Sequence, residues 1–237
     1  MTLLTICQDA ADEIGIDRPT AVIGSSQPAV QKLLRYANKA GVVLSKKVAW
    51  QALRKERTFT SVASETQTSI LPSDFDRMVP ETFWNRSSYE LISGPVSAVE
   101  WQGLKTFSYS GDYKFAYRGD AILVVPTLGA GDTLAFEYVS TQWCESSGGT
   151  GQTAWAADSD VGVISEQLIV RAVKFMYLTD EGLPNVNAAT DLQDFMNILI
   201  RQDQPSAGVM LAADIFGGGR HFSGAPVTSG STNLNVL

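Results

Sequence analysis

The sequence predicts an α+β protein: a helical bundle assembled from both chain ends, an antiparallel β-rich domain inserted between them, and an extended C-terminal tail. Three observations predict it. Apolar residues recur at helical spacing near both ends of the 237-residue chain. The middle is rich in β-branched and aromatic residues, broken repeatedly by Gly, Pro, Ser and Asp, the texture of short antiparallel strands. After residue 204 neither pattern continues. The expected divisions are residues 1–57 for the first helices of the bundle, 58–145 for the inserted domain, 146–203 for the closing helices and 204–237 for the tail.

Leu3, Cys7, Ala10, Ala11 and Ile14 fall three and four apart, Thr2 or Thr5 can cap the start, and Gly15 stands where a left-handed residue ends a helix. A loop follows, and Pro28 then takes the first position of a long helix. Its apolar stripe is Val30, Leu33, Leu34, Ala37, Ala40, Leu44, Val48 and Ala52, breaking near Arg57. Within the β-rich stretch, residues 113–138 read as a three-stranded meander. Tyr113, Phe115 and Tyr117 alternate, Gly119 and Asp120 turn the chain, residues 122–125 run on, residues 129–132 turn again, and Leu134, Phe136 and Tyr138 alternate once more. Residues 146–153 (SSGGTGQT) read as a flexible loop that closes the β region near Glu145.

Helical spacing returns at Ile164, Leu168, Ile169, Ala172, Val173 and Met176, stops before Gly182 and Pro184, and resumes at Ala188, Leu192, Phe195, Met196, Leu199 and Ile200. These helices need an apolar partner, and the N-terminal pair supplies one. The last 33 residues hold only Asp214 and Arg220 as formal charges, with six glycines. Val209, Met210, Leu211, Ile215, Phe216 and Phe222 would form an apolar patch poorly tolerated free in water, so this tail is expected to dock on a partner. Extended, it reaches on the order of 110 Å.

Eighteen Lys and Arg against 25 Asp and Glu give a net charge of −7, which argues against nucleic-acid binding over the whole surface. The distribution is uneven. Residues 28–57 carry eight basic residues and one acid, or +7, whereas everything after Arg57 has nine basic against twenty acidic, or −11. Such asymmetry suits self-association. Lys32, Arg35, Lys39 and Lys46 share one face of the long helix, a strip for DNA phosphates or an acidic neighbour, or else a solvated face. Asp9, Asp12 and Glu13 interrupt the stretch where a secretory signal would be apolar, so reduced folding in the cytosol is expected. No apolar stretch approaches a membrane span.

No catalytic, cofactor or metal residue is expected. His221 lies in the Gly-rich tail, and Cys7 and Cys144 have no metal-ligand spacing. The serine-hydrolase, zincin and P-loop signatures all lack their central residues. The pairs Asp74/Asp76 and Asp158/Asp160 resemble glycosidase carboxylates, yet they sit in turns, where carboxylates cap backbone N–H groups. Arg118-Gly119-Asp120 is a hairpin turn, and Asn85-Arg86-Ser87 a glycosylation signal without meaning in a cytosolic chain. Trp84, Trp101, Tyr109, Tyr113, Tyr117 and Trp143 gather in the β region. They supply a core, or alternatively the platform of a glycan-binding module or a cell-wall-degrading accessory protein.

Taken together, several stretches resemble the head-to-tail adaptor proteins of tailed bacteriophages, the tail tubular protein A-like or head-completion proteins. They are MTLLTICQDAADEIG with RPTAVIGSSQPAVQKLL, VAWQALRKERTFT with Trp50 and Leu53, LPSDFDRMVPETFWNR, LISGPVSAVEWQGLK, YRGDAILVVPTLGAGDTLAFEYVS and the closing helical pair. The resemblance implies a structural virion protein of the neck, assembled in the host cytoplasm. About a dozen copies would form a ring beneath the portal protein, pass genomic DNA through a channel without reading its sequence, and offer a platform to tail or nozzle proteins. It also implies that the C-terminal extension reaches the portal, that the bundle builds the ring, and that the β domain projects towards the tail.

Overall fold

A computed structural model describes residues 1–107 and 109–203. Helix α1 (Leu3–Ile14) starts at a reciprocal cap: the Thr5 N–H donates to Thr2 Oγ1 at 3.4 Å and the Thr2 N–H to Thr5 Oγ1 at 2.8 Å. It stops at Gly15, whose φ of 82° lies in the left-handed region. Helix α2 (Pro28–Lys47) opens on Pro28, which needs no N–H there, and buries Val30, Leu33, Ala37, Ala40 and Leu44.

The stripe does not carry α2 to Arg57. The helix ends at Lys47, a single 3-10 turn spans Gln51–Leu53, and strand β1 begins at Arg54. Val48 stays buried while Ala52 is exposed. The stop is tertiary. The Trp50 indole N–H donates to the Leu44 carbonyl at 2.9 Å, and the Arg77 guanidinium donates to the carbonyls of Val48 at 3.0 Å and Ser45 at 3.4 Å. Carbonyls that a continuing helix would bond are taken by side chains instead.

The β part follows as β1 (Arg54–Thr60), β2 (Thr66–Gln67), β3 (Phe75–Met78), β4 (Trp84–Asn85), β5 (Glu90–Leu91), helix α3 (Ala98–Thr106), β6 (Lys114–Arg118), β7 (Ala121–Val125) and β8 (Thr133–Ser140). Three very short strands come next: β9 (Cys144–Glu145), β10 (Gly151–Gln152) and β11 (Val161–Gly162). In the main sheet β8 is central, paired along one edge with all of β1 and along the other with β3 and then β4, which carries β5. A second sheet has the order β2-β7-β6 and a third β10-β9-β11. Every strand pair is antiparallel.

The expected meander is therefore half right. Strands β6 and β7 form the hairpin around Gly119 and Asp120, but β8 joins the other sheet. Pro126 follows β7 and has no N–H to extend that ladder, so the chain leaves the sheet before it turns. Leu134, Phe136 and Tyr138 of β8 then face Phe115, Ile122 and Val124 of the second sheet across one core. Helix α3 is an element the residue pattern did not suggest. Ser97 Oγ caps it by accepting from the Glu100 N–H at 3.2 Å, and Trp101 seats it on Ala116 and Leu123. Residues 146–153, expected as loop, hold strand β10 and a turn at Gly149, where φ is 79°.

Helices α4 (Glu166–Asp180) and α5 (Val186–Asp203) close the described chain. They share one core with α1 and α2, built on Leu3, Ile6, Leu33, Leu168, Val173 and Met196 and continued by Val139 and Trp143 from the β8 end. The fold is α+β, with one core among the helices and another between the sheets.

Candidate contact surfaces

The basic strip is placed on α2 as its spacing requires, but half of it is already engaged. Lys32 pairs with Glu181 just beyond α4, which raises its pKa, and Lys46 lies 3.3 Å from Asp76. Lys55 likewise reaches Asp74 at 2.7 Å. Part of the uneven charge is thus answered inside the chain rather than between copies. Arg35 and Lys39 remain exposed, with no ion pair among the described residues.

The acidic pairs turn out to be structural fasteners. Burial pushes the Asp74 carboxyl up, but donors from Lys55 Nζ at 2.7 Å, Ser140 Oγ at 2.7 Å and Tyr138 Oη at 3.0 Å hold it below the usual range. Burial and this same carboxylate push the Tyr138 hydroxyl up to about 12. Asp76 meets Arg77 at 2.5 Å as well as Lys46. Asp158 accepts from the N–H groups of Val22 and Ile23, and Asp160 from those of Ala156 at 2.7 Å and Ala157 at 2.8 Å. Cys7 and Cys144 are both buried, and burial pushes each thiol up to about 12, so neither presents a thiolate near neutral pH. Among the described residues no group of three or more His, Cys, Asp or Glu is placed to hold a metal ion.

The aromatic residues do not form one platform. Trp101 and Trp143 are buried in different cores. Buried Asn85 turns its chain, its side-chain Oδ1 accepting from the N–H groups of Ser87 at 2.9 Å and Ser88 at 3.2 Å. Trp84 is 43% exposed, and beside it the sequence reading missed Tyr89, at 85%. Together they line an open groove of about 560 Å³ with Glu56, Glu81, Arg86 and Glu137. Sequence alternation places Glu137 on the outer face of β8, but only the strand register reveals that it stands directly opposite Glu56 of β1. The expected docking residues Val209, Met210, Leu211, Ile215, Phe216 and Phe222 lie outside the described residues, as does His221.

Charged side chains fasten helices to sheets here, and an aromatic groove and the exposed Arg35 and Lys39, without an ion pair among the described residues, stand on the surface. The profile of the SU10 adaptor protein family matches residues 1–212, and the chain belongs to that family. No curated protein matches it. The chain is a bacteriophage adaptor, with a structural role in the virion. Among the described residues no helix is long and apolar enough to cross a membrane.

Proposed function

We propose that this adaptor forms a homo-oligomeric ring of about twelve copies beneath the portal protein, in the neck between capsid and tail. In this reading the helical bundle builds the ring, the β-rich domain projects towards tail or nozzle proteins, and genomic DNA passes through without sequence recognition. No catalytic step and no cofactor is assigned to it. The observation that carries the reading is the family match along residues 1–212. Net acidity supports it, because a channel that must release DNA needs weak attraction to phosphate.

The tail, residues 204–237, is assigned to the portal on composition, through Val209, Met210, Leu211, Ile215, Phe216 and Phe222. The test uses the full chain and a chain ending at Asp203, each mixed with purified portal rings and imaged by electron microscopy. The full chain should decorate the portal with a second ring. The shortened chain should stay folded and fail to bind; if it binds as tightly, the tail assignment falls. A full chain that ignores portals under all conditions removes the adaptor ring itself.

A further inference from the structure

We propose that the outer face of the main sheet is the socket for helix α2 of a second copy of this chain. Arg35 and Lys39 of one copy would sit against Glu81, Glu137 and the rings of Trp84 and Tyr89 of the next. The proposal rests on the ring reading above and names the contact that makes the ring.

The socket carries an imbalance that its own fold leaves uncorrected. Register sets Glu56 directly opposite Glu137 on one face of the β1–β8 pair, an arrangement that like charges disfavour. Arg86 answers Glu56 at 2.8 Å, and this contact lowers the Glu56 pKa. Neither Glu137 nor Glu81 has an ion pair among the described residues. Beside them Trp84 and Tyr89 are exposed to solvent, and the faces of such rings attract cations. Both Glu81 and Tyr89 hold φ at 62°, a backbone region that side chains of this size avoid, so the chain holds the groove's walls in an unfavourable shape.

The strip is the matching half. Arg35 and Lys39 are four apart, hence one turn apart on one face of α2. They are exposed and without an ion pair, whereas Lys32 and Lys46 on either side are taken by Glu181 and Asp76. Two unanswered cations thus face two unanswered carboxylates flanked by aromatic rings. Strip and socket are two different patches, so copies can also join head to tail, strip to socket, and such a contact repeated around a circle closes into the ring.

Charge reversal tests this with two variants, R35E/K39E and E81K/E137K, all four side chains being exposed and circular dichroism confirming the fold. Assembly is read by mass in solution and by electron microscopy with portal rings. Each variant alone should need at least about tenfold more protein to form rings. An equimolar mixture should recover them, because the reversed socket of one accepts the reversed strip of the other while the natural contact forms at alternate junctions. If either variant alone assembles like the wild type, or if the mixture fails to recover assembly, the contact is wrong although the ring reading stands. If the wild type never multimerises, with or without portal, the ring reading fails and takes the contact with it.

Discussion

Gly41 sits in α2 where a Cβ would enter the indole of Trp143, a side chain only 1% exposed that cannot step aside. Gly41→Ala should gain about 1 kcal/mol of helix propensity and lose about 3 kcal/mol to overpacking, so the melting temperature should fall. Glu137 makes the opposite case. Glu137→Lys sets unlike charges opposite each other on β1 and β8 and should raise stability by about 0.2–1 kcal/mol in urea titration, while weakening assembly. Asp74 couples stability to pH. Its pKa is depressed, so its contribution is present above the ordinary carboxylate range and is lost as pH falls through its lower folded value. Asp74→Asn should cost about 1–3 kcal/mol near neutral pH, and urea titrations should show that gap closing under acid.

At the scale of elements, the end of α2 shows what the sequence could and could not reveal. The starts of α1 and α2 and the spacing of α4 and α5 are legible because their causes are local: Thr2 with Thr5, Gly15, Pro28, and apolar residues three and four apart. Val48 and Ala52 continued the helical stripe, and no Gly or Pro stood between Leu44 and Ala52 to end it. What stopped the helix was Trp50 and, from β3, Arg77. The same distance hid the partners of Lys32 and Lys46, the departure of β8 from its expected neighbours, and the facing of Glu56 and Glu137. Helix α3 escaped notice because its one buried residue, Trp101, leaves no stripe to read. Arg77→Met should orphan the carbonyls of Ser45 and Val48 at a cost of about 1–3 kcal/mol. Amide hydrogen exchange in residues 48–54 should quicken more than elsewhere.

For the whole molecule, the end of α5 is tied down. The Gln51 N–H donates to the Asp203 carboxylate at 3.0 Å, so the last described residue is fastened beside the junction of helices and sheets. This predicts that the chain ending at Asp203 melts within a few degrees of the full chain in calorimetry, its failure to bind portals being a loss of contact and not of fold. That junction also has a mechanical meaning. The backbone crosses it twice, and the two crossings lie side by side, Arg54 of β1 in register with Val139 of β8. A single linker would let the β part swivel under load. Two hydrogen-bonded backbones share tension and resist torsion, and the Arg77 contact adds a third point of attachment. A push or twist delivered to the β part by whatever it touches therefore reaches the helices as a displacement of the whole subunit.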